Sequence, residues 1–143
     1  LQSAAADSLA QAAASVNDYI TLNSAFRTSA EQYLLYEWYL KGRCSISLAA
    51  VPGTSNHEGG RAIDTSYYSY WAGPLANYGW SHSYPSSDPV HFDYYAAQDI
   101  NKETLMAFQK LWNQNNPSNQ LDVDGVYGPA TESALYNTPC NGW

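Results

Sequence analysis

Apolar residues recur at helical spacing over residues 3–17, an Ala-rich run with Leu9, Ala13 and Val16 on one stripe, which predicts a first helix. Residues 19–24 alternate and include β-branched Ile20 and Thr21, the pattern of a strand. A second helix is predicted over about residues 30–41. Thr28 with Glu31 and Ser29 with Gln32 both have capping-box spacing, and Gly42 supplies a stop. Residues 45–60 contain Pro52, Gly53, Gly59 and Gly60 and read as a long shaped loop. Residues 62–67 and 90–95 are short strands. In the second, Val90, Phe92 and Tyr94 share one face while His91, Asp93 and Tyr95 share the other. The aromatic stretch between them is rich in turn residues and has no clear period. Beyond residue 99 the pattern changes to an amphipathic helix over 104–113, an Asn/Pro/Ser linker, a turn at Asp124-Gly125 and a helix from Pro129 to about Tyr136. The shift predicts two domains, 1–98 and 99–143.

Composition narrows the function classes. Of 143 residues 45% are hydrophobic, with 13 Tyr and 5 Trp, so a packed core is feasible and disorder is excluded. A net charge of −7 with six Lys and Arg argues against nucleic acid, whose binders release counterions with clustered cations. No apolar run approaches the roughly 18 residues of a membrane span. The Ala-rich start lacks a basic segment and a cleavage pattern, as in a mature or trimmed chain. The Tyr/Ser/Asn/Gly-rich, Lys-poor composition predicts a secreted protein, and a monomer is expected. Cys44 and Cys140 are too few and too far apart for a zinc knuckle. In a secreted protein the pair predicts one disulfide; in the cytosol they would be two buried thiols.

Three residues carry candidate metal chemistry. His57 is followed by Glu58-Gly59-Gly60, a tight turn that can fold the chain back and bring Asp64 beside it, and His91 lies on the polar face of a predicted strand. Imidazole, carboxylate and imidazole suit zinc, and three such ligands leave a fourth position open for water. The alternative is a solvated loop histidine, a turn-capping aspartate and a strand histidine. Asp88 precedes His91 by three residues, and Pro89 forces an extended backbone there, which makes Asp88 a candidate general base. Arg27 follows a predicted strand end and is a candidate clamp for an oxyanion or a carboxylate.

Together these residues resemble a known family. Ser55, His57, Gly60, Ala62 and Asp64 match the SxHxxGxAxD signature of the VanY-like D-Ala-D-Ala carboxypeptidases and related endolysins, with Pro52-Gly53 upstream. Asp88-Pro89-Val90-His91 is similar to that family's acidic-Pro-x-His signature. Ser24 to Thr28, followed by Glu31-Gln32, resembles its SGYRS…EQ segment, and Tyr78-Gly79-Trp80 stands where a Gly-aromatic pair precedes the last ligand. The resemblance implies Zn2+ held by His57, Asp64 and His91, with Asp88 as base and Arg27 as transition-state stabiliser. It also implies an α+β fold, a small antiparallel sheet with packed helices carrying a zinc cleft. The implied substrates are stem or cross-link peptides of cell-wall peptidoglycan, cut in carboxypeptidase or endopeptidase fashion. Departures are Asp88 where carboxypeptidase members have Glu, Ala25 for Gly and Val90 for Trp. Ser55 and His82 are candidate substrate contacts, although the family gives His82 no role.

The C-terminal piece resembles a second family. Phe108-Gln109, then Asp124 to Pro129 with Thr131, then Ala134-Leu135, is similar to a helical peptidoglycan-binding domain, of which about one half-repeat is present. So small a piece is expected to pack on the catalytic domain rather than fold alone. Two readings of other classes compete: a wall-binding protein that keeps a zinc site without catalysis, and a zinc-stabilised scaffold. An intact base argues against the first and the absence of Cys ligands against the second.

Overall fold

The computed structural model describes residues 1–139, and the chain divides into two compact units, Leu1–Arg27 with Gly59–Asp99 and Thr28–Glu58 with Ile100–Trp143. The segment 28–58 thus groups with the C-terminal residues, whereas the sequence pattern places it with 1–98. Helices and a two-stranded antiparallel sheet make the fold α+β.

In the first unit, helix α1 (Ser3–Ser15) lays Ala5, Leu9 and Ala12 into a core with Ile63, Trp71, Leu75, Trp80 and Phe92. The stripe is rotated from the predicted one: Val16 is exposed, and buried Ser8 donates from Oγ to the Tyr78 carbonyl at 2.6 Å. The sheet pairs β1 (Ala62–Asp64) with β2 (His91–Asp93) in the register Ala62↔Asp93, Ile63↔Phe92, Asp64↔His91. Both strands are three residues long, shorter than predicted, and single bridges extend them: Ser24 beside Asp64 and Ser81 beside Asp93. The strand predicted over 19–24 is absent apart from that bridge. Tyr19 and Leu22 are exposed, and the segment pairs with Asp64 only at its end, through Asn23 and Ser24. Gly60 turns the chain into β1 at φ +63, and a Cβ there would press on the Gln2 backbone nitrogen at 3.3 Å. The aromatic stretch contains helix α3 (Tyr68–Ala76), which buries Trp71 and Leu75 one turn apart and tolerates Pro74 near its end.

In the second unit, α2 (Ser29–Leu40) begins with a complete capping box. Thr28 Oγ1 accepts from the Glu31 N–H at 3.2 Å, and Glu31 Oε2 accepts from the Thr28 N–H at 2.8 Å. Helices α4 (Asn101–Asn115) and α5 (Pro129–Asn137) build a core of Leu105, Phe108, Trp112, Ala134 and Leu135. Tyr33 of α2 packs against it. Among the described residues no helix is long and apolar enough to cross a membrane.

Candidate metal centre

The register of the sheet places Asp64 directly opposite His91, and cross-strand neighbours have side chains about 5 Å apart at Cβ. His91 Nδ1 lies 3.2 Å from Asp64 Oδ1. Ligands about 2.1 Å from one zinc at tetrahedral angles stand about 3.4 Å from each other, so this pair has the spacing of a shared ion. His57 completes the set: it, Asp64 and His91 each offer one ligand atom, and these atoms all lie within 4.8 Å of one another. The donors are nitrogen and oxygen, the mixture zinc accepts. His57 and His91 are both buried.

Loop chemistry explains how His57 is presented. Ser55 Oγ accepts from the His57 N–H at 3.3 Å, and the Ser55 carbonyl accepts from the Glu58 N–H at 3.0 Å. Glu58, with no exposed surface, turns Oε2 back to the N–H groups of Gly53 at 2.8 Å and Ser55 at 3.4 Å. Ser55 is itself buried, so its visible task is to shape this loop. The Gly53 N–H and the Glu58 carboxylate thus brace the turn that carries His57.

His91 is held from two sides. Besides Asp64, its Nε2 lies 2.8 Å from Oδ1 of Asp93, which has no exposed surface. Burial opposes a charge on this ring, but the hydrogen bonds and charges of Asp64 and Asp93 outweigh it and push the His91 pKa up to about 9. Without a metal the ring is therefore an imidazolium at neutral pH. Sequence reasoning misses Asp93 as a functional residue. The available signal is its place two residues from His91 on the same strand face.

Arg27 reaches the same carboxylate. Its Nη2 donates to Ser24 Oγ at 3.1 Å and lies 3.8 Å from Asp64 Oδ2. The Ser24–Asp64 bridge fixes this approach, with the Asp64 N–H donating to the Ser24 carbonyl at 2.9 Å. Asp88 sits in the turn before β2. Its N–H donates to the Tyr84 carbonyl at 2.8 Å and its carbonyl accepts from the His91 N–H at 3.2 Å, which ties the candidate base to the ligand strand. His82 is engaged elsewhere, with Nε2 2.7 Å from the Pro89 carbonyl and its ring stacked on Phe92 at 4.4 Å. It thus supports the Asp88-Pro89 turn. Cys44 is exposed and forms no disulfide among the described residues; the Cys44–Cys140 pairing falls on Cys140, which lies outside them.

The family model of VanY, D-alanyl-D-alanine carboxypeptidase, matches residues 2–76, more than half of the chain. The chain belongs to this family. The VanY match includes Arg27, His57 and Asp64 and ends before Asp88 and His91; the sheet register sets His91 opposite Asp64. Two solved VanY structures are similar to parts of the chain. One is a mutant of the vancomycin-resistance D,D-pentapeptidase VanY from a VanB-type resistance cassette in complex with Zn(II), at 25% identity and a TM-score of 0.46, covering 68% of this chain and 74% of that one. The other is VanYB in complex with D-Alanine-D-Alanine, at 23% identity and a TM-score of 0.45, covering 69% and 74%. Comparison with curated proteins finds no match.

Proposed function

We propose that this VanY-family chain is a zinc-dependent peptidase that removes or separates D-alanine at the stem and cross-link peptides of peptidoglycan, with carboxypeptidase action as its main reaction. The observation that carries this reading is the convergence of His57, Asp64 and His91, with Arg27 beside Asp64. His57, Asp64 and His91 would hold zinc, which when bound supplies a Lewis acid that makes water nucleophilic near neutral pH and polarises the scissile carbonyl. Asp88 accepts the proton of the attacking water on its carboxylate and delivers it to the leaving amine. The Arg27 guanidinium, steadied by Ser24, stabilises the negative charge that develops on the carbonyl oxygen. Secretion and wall contact through residues 99–143 are part of the same reading.

Elemental analysis of the purified chain, together with D-alanine release from a peptide ending in D-Ala-D-Ala, tests it. About one zinc per chain is expected, with activity lost on chelation and restored by zinc. His57→Ala, Asp64→Ala and His91→Ala should each lower zinc occupancy. A folded, active chain that carries no metal would sink the mechanism.

A further inference from the structure

We propose that Asp93 is a positioning residue for this centre: it locks the His91 ring so that Nδ1, beside Asp64, is the nitrogen that binds the metal. The proposal rests on the zinc reading above. A fully buried carboxylate is costly unless its oxygens are satisfied, and the two oxygens of Asp93 divide their work. Oδ1 takes the His91 Nε2 contact at 2.8 Å, while Oδ2 accepts from Ser83 Oγ at 2.6 Å and from the Tyr95 hydroxyl at 2.9 Å. The backbone is held as firmly. Asp93 is paired with Ala62 in the sheet, and it exchanges bonds with Ser81 at 2.8 and 2.9 Å. With both its backbone and Oδ2 anchored, the carboxylate cannot follow a turning ring.

An imidazole that commits its Nε2 proton to Asp93 carries its lone pair on Nδ1, and Nδ1 is the nitrogen 3.2 Å from Asp64 Oδ1. A carboxylate behind a ligating histidine fixes its tautomer and orientation and strengthens it as a donor. Strand geometry makes this economical, because residues i and i+2 point to the same face. Ser83 and Tyr95 stand one step further out and hold the holder.

Zinc affinity of the full chain, measured by competition with a chromogenic chelator, tests the proposal. Asp93→Asn keeps the shape and removes the charge, and it should bind zinc about 10–100-fold more weakly. Ser83→Ala and Tyr95→Phe strip only Oδ2 and leave the Nε2 contact and the backbone anchors of Asp93, so each should weaken zinc binding less than Asp93→Asn does. Long-range 1H–15N spectra of the zinc-loaded parent chain give a readout that does not depend on any variant folding. They should show His91 protonated at Nε2 and metal-bound at Nδ1. Zinc on Nε2, or a folded Asp93→Asn chain that binds zinc as tightly as the parent, overturns this proposal alone. A parent chain with no affinity for zinc overturns the zinc reading itself, and this proposal with it.

Discussion

Asp88 and Arg27 should behave differently from the three proposed ligands when they are changed, because neither belongs to the donor set. Asp88→Asn preserves the shape but cannot take a proton, so zinc should stay while turnover falls by about 100-fold or more. Arg27→Ala should also keep zinc and lose turnover by a similar factor through the oxyanion contribution. Metal content and kcat measured on the same preparations check both. Glu58, next to His57 in the chain, is a poor substitute for that base, since its side chain is buried and accepts from the Gly53 N–H. At this scale the grouping of His57, Asp64 and His91 is legible because a metal needs particular atoms, and only a few residue types carry them. Asp93 is not, since a carboxylate behind a histidine looks in sequence like any other strand aspartate. Its burial, which decides its meaning, is a property of the packed fold.

Elements with strong local chemistry are legible, and those defined by their neighbours are not. The α2 capping box and Pro129 at the start of α5 act within a few residues, and both elements start where those signals put them. The strand expected over 19–24 shrinks to one bridge because alternation says nothing about how far a partner strand runs beside it. Helix α3 stays hidden because aromatic residues on nearly every side blur the helical period. The C-terminal motif changes its meaning once folded. Gln109 is buried; its Nε2 donates to Asp124 Oδ1 at 2.9 Å and to Thr131 Oγ1 at 3.2 Å, while its Oε1 accepts from the Gly125 N–H at 2.8 Å. These motif residues serve the fold of the segment, so contact with a wall would have to use exposed neighbours such as Val126 and Tyr136. Gly125 tests this. It stands at φ +67, and a Cβ there would come within 2.7 Å of the Lys102 carbonyl oxygen. Gly125→Ala should cost about 2–4 kcal/mol, from the left-handed backbone and the forced shift of α4 together. Urea unfolding followed by circular dichroism would measure it, and an unchanged midpoint would show that the turn is not needed.

At the scale of the whole molecule, the change of pattern near residue 99 coincides with the passage from Asp99 to Ile100, but the sequence does not reveal that residues 28–58 share a unit with the C-terminal segment. Grouping of that kind comes from long-range packing, here Tyr33 against the α4–α5 core, which no local pattern encodes. A chain cut after Asp99 should therefore lose helix signal beyond that of the removed residues, as α2 loses the core it covers. A truncated chain that keeps α2 folded and cleaves a soluble peptide normally would establish residues 99–143 as a separable anchor instead. Net charge of −7 also bears on substrate capture: wall peptides carry carboxylates, so long-range attraction cannot draw them in and local contacts must suffice. The backbone passes from one unit to the other three times, at 27/28, 58/59 and 99/100. A single break anywhere in residues 28–99 therefore divides at least one unit between the two fragments. No one continuous stretch of coding sequence specifies either unit alone, so recombination that shuffles proteins as contiguous blocks can carry this one only whole.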